Sequence, residues 1–430
     1  MMNHRVARSV ALLIAAGAFG AQNTALGAGF MLPEASVAGV GTSNALVANP
    51  EEVGAFAYNP AAMGFHEASS IAVGTVLINP NFSVETASGS HDSQGAEWVA
   101  LPMIQAAIKL NDSWRLGFGI TTPFGLETRW EDGTFPAVSG TRTLPVPAPL
   151  NPEVPLGHPT SSQLEVLDFS PTGTYRVNDN LSLSAGLDIY WTKTAKLGST
   201  AGSLEGDGTG LGFNLGALYR EGPWSFGASY RSSATVDVTG DYVPLSQTLV
   251  YLQRLEPAQQ AEVNFDLPWR LQLGARYAVN EQLAVEVDVT RTGWSSFNDL
   301  KVTGKNTGVV IFADQNDWDD SNAYRLGVTY QVQPQTQLRF GYAYDETGQS
   351  DDHFSARVPD NDRHLFSIGL AQSLGQGYSL EAAYMYVTAA DREYRSSTAY
   401  TGSDLNGTTA LNGDYSFDAH LVGLQITKTF

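Results

Sequence analysis

The stretch Leu338-Arg-Phe-Gly-Tyr-Ala-Tyr344 alternates large apolar residues with polar or small ones at every second position. Successive side chains of a β-strand point to opposite faces, so this stretch predicts a strand with one apolar face. Leu283-Ala-Val-Glu-Val-Asp-Val289 repeats the pattern, with acidic residues on the second face. Strands of this kind occur in membrane barrels with a polar lumen and also in β-sandwiches, so alternation alone does not choose between them.

The connections between such stretches favour the barrel. Six tight polar turns alternate with seven long linkers, and these thirteen connections join fourteen strands. Short turns at one rim and long loops at the other are typical of outer-membrane barrels, whose short turns are periplasmic. The turns lie at 111–113, 178–180, 220–223, 280–282, 333–335 and 375–377, and the linkers at 80–95, 131–162, 197–209, 239–260, 303–320, 346–362 and 392–412.

Composition excludes several classes of protein. The 430 residues carry 24 Lys and Arg against 44 Asp and Glu, a net charge of −20, which argues against a nucleic-acid partner. The absence of cysteine excludes disulfides and thiolate chemistry. No HExxH, GxSxG or P-loop motif occurs, so we expect no catalytic residue, no cofactor and no metal.

The two ends of the chain predict export to the bacterial outer membrane. Arg5 and Arg8 precede an apolar run at 10–19 and a small-residue site, which predicts a signal peptide, residues 1–27, cleaved after Gly27. The last strand alternates to a terminal Phe430, which is similar to the assembly signal of outer-membrane proteins. We therefore expect the barrel-assembly machinery, outer-membrane lipid and lipopolysaccharide as partners.

Residues 28–68 do not alternate, whereas residues 69–430 carry the strand pattern. The segment 28–68 is rich in Gly and Ala, and a free periplasmic tail would leave six large apolar residues of it in water: Phe30, Met31, Leu32, Phe56, Tyr58 and Phe65. We therefore predict an all-β protein, a transmembrane antiparallel barrel of about fourteen strands, with residues 28–68 as a hatch (a plug) inside the lumen.

Several motifs resemble the FadL family of outer-membrane long-chain fatty acid transporters, which also includes channels for aromatic hydrocarbons. The resemblance runs over essentially the whole mature chain and implies a fourteen-stranded barrel with an N-terminal hatch. The motifs are Ala28-Gly-Phe30, Asn59-Pro-Ala61, Ile120-Thr-Thr-Pro-Phe-Gly-Leu126, Gly293-Trp-Ser-Ser-Phe297, Asn322-Ala-Tyr-Arg325 and Val358-Pro-Asp-Asn-Asp-Arg363.

Two sets of gating residues follow from this resemblance. In the third strand, Pro123 lacks a ladder donor and Gly125 marks a bulge or a close approach. The resemblance implies an inward kink there that opens a side window toward the membrane; a simple bulge is the alternative. The kink residues are Thr122, Pro123, Phe124 and Gly125, and the hatch residues are Gly29, Phe30, Leu32, Asn59, Pro60 and Ala61.

Two long loops carry apolar residues. Loop 131–162 holds seven of the 20 prolines, and loop 239–260 contains a short helical pattern capped by Ser246 and stopped by Pro257. The loops close the barrel mouth or, as the resemblance implies, form a groove that collects ligand. The groove residues are Leu144, Val146, Leu150, Leu249, Leu252 and Leu255.

The carboxylate of a fatty acid needs a basic contact, for which Lys193, Lys196 and Arg325 are the candidates. Fatty acid members of the family carry a basic residue shortly before the strand that starts at Asn322, where this chain has Ala313-Asp-Gln-Asn-Asp317. This departure keeps uncharged hydrocarbons open as substrates. We expect passive uptake of long-chain fatty acids or similar hydrophobic molecules. A channel for aromatic or alkane hydrocarbons, a hydrophilic porin and an outer-membrane hydrolase are the alternatives.

Overall fold

Fourteen strands form a closed antiparallel wall, as the connection lengths predict, in a computed structural model that describes residues 29–94, 98–145, 152–402 and 404–430. The predicted signal peptide, Val146 and Leu150 lie outside the described residues. The wall strands are β1 Ser70–Thr86, β2 Val99–Lys109, β3 Trp114–Arg129, β4 Pro159–Arg176, β5 Leu181–Ser199, β6 Gly202–Glu221, β7 Trp224–Arg231 continued by Ala234–Pro244, β8 Gln259–Leu267 continued by Arg270–Ala278, β9 Leu283–Thr292, β10 Ser321–Gln333, β11 Thr336–Asp345, β12 Arg363–Gly375, β13 Tyr378–Ala389 and β14 Gly413–Thr429. The barrel closes where β1 pairs with β14 from Ser70 opposite Thr429 to Glu85 opposite Asp414.

Short elements occupy the lumen and the rim with the long loops. The helices are α1 Val37–Gly41 and α2 Gln247–Tyr251, and the 3-10 turns are Val53–Ala57, Pro60–Phe65, Pro136–Val138, Trp294–Ser296 and Thr409–Leu411. The short strands are Gly89–Asp92, Thr141–Thr143, Glu153–Pro155, Arg392–Tyr394 and a hairpin of Asp299–Gly304 with Val310–Gln315. None of the described helices has the length and apolar character that a membrane crossing requires.

The alternation seen in sequence places apolar side chains outside and polar ones inside. In β9, Val287 and Val289 are 52% and 41% exposed on the outer face, whereas Glu286 and Asp288 are buried in the lumen. An outward apolar face with an inward polar face is the arrangement that a bilayer requires of a barrel wall.

The predicted linker at 197–209 is wrong, because β5 and β6 run through it and leave only a tight turn. The glycines that made the segment read as a loop lie opposite β7, with Gly208 paired to Val238 and Gly206 to Gly240. A Cβ atom at Gly208 would collide with the carbonyl oxygen of Asp237. The glycines therefore permit a close approach of two strands.

The segment 29–68 lies inside the barrel. Its helix α1 contacts β12 and β13, while its turn Pro60–Phe65 contacts β4, β5 and β6 on the opposite wall. Val37 and Met63, at these two ends, are fully buried. The segment thus spans the lumen from wall to wall, and we call it the hatch.

Candidate functional site

The motif Asn59-Pro60-Ala61 fastens the hatch to the wall. The Asn59 amide donates to the carbonyl of Ala217 in β6 at 3.0 Å, and its oxygen accepts from the N–H of Ala61 at 3.2 Å. Pro60 starts the following turn, and its carbonyl accepts from the hydroxyl of Thr174 in β4 at 2.9 Å. One short motif therefore links the hatch to two strands.

A buried arginine joins the hatch to the opposite side of the barrel. Arg339 of β11 donates to Glu52 of the hatch and to Glu381 of β13, each at 2.6 Å, and its side chain is 2% exposed. A buried charge is tolerated only when it is paired and hydrogen-bonded, and here both carboxylates depend on the same guanidinium.

Wall carboxylates also receive hatch backbone groups. Asp288 accepts from the N–H of Val47 at 3.1 Å, and Glu286 accepts from the N–H of Ala48 at 2.7 Å. These bonds satisfy backbone donors that would otherwise be orphaned inside the barrel. The polar lumen is thus matched to the hatch that fills it.

Basic residues of the wall contact the periplasmic end of the hatch. The guanidinium of Arg220 lies 4.3 Å from the centre of the Phe65 ring, a cation–π contact, and Arg115 donates to the carbonyl of His66 at 3.2 Å. Burial lowers the pKa of His66 to about 4, so its imidazole is neutral. Glu67 pairs with Lys109 at 3.1 Å. The hatch is therefore held where it joins β1.

Strand β3 stops pairing with its neighbour β2 about halfway along the wall. Strands β2 and β3 pair only from Lys109 opposite Arg115 to Ile104 opposite Ile120. Residues Val99–Met103 continue to pair with β1 but have no partner in β3. Against β4, the β3 register shifts between Thr121 and Phe124, so the predicted irregularity at this point is present.

The first residues of the hatch fill the place that β2 leaves. The N–H of Leu32 donates to the carbonyl of Pro123 at 2.7 Å, and the N–H of Gly125 donates to the carbonyl of Phe30 at 2.9 Å. Met31 forms a β-bridge with Phe124 between these two bonds. The kinked part of β3 thus pairs with the hatch instead of with the wall.

The opening between β2 and β3 has defined limits. Above it, the N–H of Gln94 donates to the carbonyl of Arg129 at 2.8 Å, and below it lies the pair of Ile104 with Ile120. The five residues Val99–Met103 correspond to about 17 Å of strand. Because β3 runs outward from a short turn, this side gap lies in the half of the wall nearer the long loops.

Phe30 lies in an aromatic cluster drawn from distant parts of the chain. Its ring centre is 4.8 Å from that of Trp294, 5.1 Å from Phe297, 6.0 Å from Phe124 and 6.2 Å from Trp318. Trp294 and Trp318 are almost completely buried. The contacts with Trp294 and Phe297 are edge-to-face, and together these rings hold Phe30 in one position.

Gly29 permits this arrangement. Its φ angle is +65°, and a Cβ atom there would collide with the indole of Trp318. Its N–H donates to a carboxylate oxygen of Asp360 at 2.9 Å. A residue with a side chain would therefore be strained at this position and would displace the start of the hatch.

A large cavity of about 860 Å³ lies among the long loops. Of the four predicted groove leucines that the structure describes, Leu144, Leu249 and Leu255 line it. Leu252 lies just beyond α2, half-buried, and does not line the cavity. The two long loops thus bring apolar side chains around one space.

A second cavity, of about 90 Å³, lies deeper, and Phe30 is part of its lining. Apolar residues from β3 and β8, including Leu126 and Phe265, line it together with Phe297. Lys196 contributes a charged group to the lining, and its ammonium nitrogen lies 3.5 Å from a Glu205 oxygen. The predicted carboxylate contact Lys196 and the hatch residue Phe30 therefore share one small cavity.

The other two basic candidates lie elsewhere. The Lys193 ammonium is 2.9 Å from a Glu165 oxygen and lines neither cavity. Arg325 is buried in the lumen, donates to the Thr290 hydroxyl at 2.8 Å and lies 3.8 Å from an Asp345 oxygen. It too lines neither cavity. Both side chains are occupied by wall residues.

Sequence reasoning missed a basic residue that lines both cavities. Arg357, in the loop before β12, is 8% exposed and faces each space, as does its ion-pair partner Asp314. The lining residues common to both cavities are Leu197, Leu204, Asp314, Ser355 and Arg357. The Arg357–Asp314 pair therefore stands at the junction of the cavities.

Comparison with known proteins agrees with this architecture. A "Long-chain fatty acid transport protein" from Escherichia coli O6:H1 is 25% identical over 410 residues, which cover 84% of this chain and 87% of the relative. The crystal structure of a Pseudomonas aeruginosa FadL homologue has a TM-score of 0.77 at 20% identity and covers 94% of this chain and all of that one. The Pseudomonas putida toluene transporter TodX has a TM-score of 0.62 at 16% identity, covering 92% of this chain and 99% of that one.

The family described as "Outer membrane protein transport protein (OMPP1/FadL/TodX)" matches residues 17–147 and 156–430. These ranges include the hatch, the side gap, the small cavity and all the lining residues of the large cavity except Val154 and Pro155. The chain therefore belongs to the OMPP1/FadL/TodX family of outer-membrane transport proteins.

Proposed function

We propose that this protein takes up long-chain fatty acids by passive diffusion. Ligand collects in the large cavity, moves into the small cavity, and leaves through the side gap into the outer leaflet of the membrane. The long-chain fatty acid transport protein that is 25% identical supports this substrate class. The toluene transporter shares the fold alone, and an aromatic or alkane channel is the second candidate.

One observation carries the proposed route. Phe30 is part of the lining of the small cavity, and its carbonyl accepts a hydrogen bond from the N–H of Gly125 in the kink. Movement of this single residue would open the cavity and release the partner of β3 at the side gap. Cavity and gap are therefore coupled through the start of the hatch.

The energetics favour apolar cavities over an aqueous pore. Transfer of a chain of ~16 carbons out of water releases about 13 kcal/mol, at ~0.8 kcal/mol for each methylene. The barrier is therefore the polar saccharide layer outside the membrane, where such a molecule is scarcely soluble. Apolar cavities between the long loops lower that barrier. On this proposal the outer wall faces lipid and lipopolysaccharide.

Uptake of oleate and of toluene by a deletion strain tests the substrate. We expect the wild-type gene on a plasmid to restore oleate uptake and to leave toluene uptake at the level of the empty vector. The empty vector and a plasmid carrying the Escherichia coli relative are the controls. Oleate uptake equal to that of the empty vector, in cells whose outer membrane contains the protein, would contradict the proposal.

A disulfide between hatch and wall tests whether the hatch must leave. The hydroxyl oxygens of Ser43 in the hatch and Ser367 in β12 are 2.9 Å apart, and the chain has no cysteine of its own. We expect the Ser43→Cys, Ser367→Cys variant to form a disulfide and to keep oleate uptake within about twofold of wild type, because only the start of the hatch moves.

The single variants Ser43→Cys and Ser367→Cys are the matched controls, and labelling of free thiols measures cross-linking. Loss of uptake in the oxidised double variant, with recovery on reduction, would show that ligand passes through a vacated lumen.

A further inference from the structure

This inference rests on the proposed function and concerns how the junction between the cavities recognises a head group. Hydrogen bonds hold Arg357 there on one side only, and its Cζ atom lies 5.4 Å from the centre of the Phe312 ring. Its Nη1 atom donates to the Ser161 carbonyl at 3.1 Å, the Ser162 hydroxyl at 3.1 Å and the Gly198 carbonyl at 3.0 Å. These three bonds fix the position of the guanidinium plane against β4 and β5.

The remaining side of the guanidinium is loosely occupied. Its Nε atom lies 3.6 Å from an Asp314 oxygen, beyond the distance of a normal hydrogen bond. Within the described part of the chain, its Nη2 atom has no hydrogen-bond partner. By contrast, both carboxylates on Arg339 lie at 2.6 Å. Asp314 is therefore a nearby counter-ion and not a tight ligand of Arg357.

An arginine with a free edge is suited to one class of ligand. The guanidinium fork matches the two oxygens of a carboxylate and binds it with two parallel hydrogen bonds. The other lining residues shared by the cavities include Leu197 and Leu204, which suit an apolar tail. A head group here would leave its tail free to lie in either cavity.

We propose that Arg357 binds the carboxylate of a long-chain fatty acid at the junction of the two cavities, and that Asp314 holds this place until ligand displaces it. Exchange of one carboxylate for another keeps the buried arginine paired throughout the passage, and the displaced Asp314 carboxylate takes up a proton, so that no uncompensated charge remains. Uncharged hydrocarbons gain nothing from this exchange.

The surroundings of Asp314 give the exchange a pH dependence. Burial raises the pKa of Asp314 to about 7, Arg357 opposes that rise, and the nearby carboxyl of Asp404 adds to it. Lys196 also faces the small cavity. The other cationic side chains that line the large cavity are Arg142 and Arg254. Below pH 7 a neutral Asp314 competes less for Arg357, so carboxylate binding is expected to strengthen as the pH falls from 8 to 6.

Binding measurements with two matched ligands test the proposal. Purified protein in a non-ionic detergent is loaded with a fluorescent fatty acid, which is then displaced by hexadecanoate or by 1-hexadecanol. Both ligands also partition into detergent micelles, and taking the ratio of their two affinities for the protein cancels this effect. The variants are Arg357→Gln and Asp314→Asn, and the control is Arg395→Gln, which removes an exposed arginine paired with Asp414.

We expect Arg357→Gln to weaken hexadecanoate binding roughly tenfold with the alcohol changed less than about twofold. Asp314→Asn is expected to strengthen hexadecanoate binding by about threefold or more and to remove its dependence on pH between 6 and 8. The control keeps the wild-type ratio. Heat-dependent migration in gels establishes that each variant is a folded barrel.

The proposed exchange at the Arg357–Asp314 pair would be overturned if folded Asp314→Asn kept the wild-type ratio of hexadecanoate to hexadecanol affinity, or if it bound hexadecanoate more weakly. That result would leave the proposed function standing if hexadecanoate and hexadecanol still bind. Failure of both ligands to bind wild-type protein would instead contradict the proposed function itself.

Discussion

Uptake of labelled oleate is expected to fall to the background of the deletion strain in the variant Pro123→Val, Phe124→Thr, Gly125→Val. Valine at position 123 restores a ladder donor, and β-branched residues favour a regular strand. The carbonyl and N–H that now bond to Leu32 and Phe30 of the hatch would then pair with β2. The side gap would close.

The barrel itself is expected to assemble, since the change makes the strand more regular. Pro171→Val in the adjacent strand β4 is the matched control, because it replaces a wall proline that contacts no kink residue in the β3–β4 register. Its uptake should equal that of wild type. Normal uptake by the triple variant, with heat-dependent migration intact, would remove the lateral route.

Replacing Arg339 with leucine is expected to turn the protein into an ion-conducting pore. Two carboxylates, the partly buried Glu52 on the hatch and the buried Glu381 on the wall, would lose their shared partner and repel each other. Removing one partner of a buried pair costs about 3–5 kcal/mol, which is enough to loosen the hatch. Because a loosened hatch opens the lumen to ions, single-channel conductance in planar bilayers should rise at least about tenfold.

Two further variants make this test specific. Arg395→Leu removes an exposed arginine distant from the hatch and should conduct as wild type does. Adding Glu52→Gln and Glu381→Gln to Arg339→Leu should restore low conductance, because the cost comes from unpaired charge and not from lost volume. High conductance in wild type would favour a hydrophilic porin, and low conductance in Arg339→Leu would show that other contacts suffice to hold the hatch.

Most of the wall could be predicted from sequence because strand alternation is a local property. For residues such as Val287 and Val289, the alternation with adjacent residues in sequence is enough to predict which face of the strand they occupy. The linker that was wrongly predicted at 197–209 failed because its structure depends on a contact that is not local. Glycines read locally as a loop, whereas Gly206 and Gly208 are there because another strand passes close to them.

The site was less predictable because its contacts join residues far apart in sequence. Trp318 lies among acidic residues that gave no sign of a buried indole, yet it packs near Phe30, almost 290 positions earlier. Arg357 directly precedes a recognised motif, but its partners lie in β4, in β5 and at Asp314. Only the fold brings such groups together, so spacing along the chain carries no signal for them.

The height of the opening between β2 and β3 has a consequence for the cell. It lies between the pair Ile104–Ile120 and the bond from Gln94 to Arg129, in the outer half of the wall. On the proposed route, cargo is delivered to the outward-facing monolayer only, and flip to the inner monolayer and desorption take place without the protein. Equilibration through such a passage runs equally in both directions. Net import is then set by how fast metabolism consumes the cargo, and extra copies of the channel would not accelerate growth once that sink is saturated.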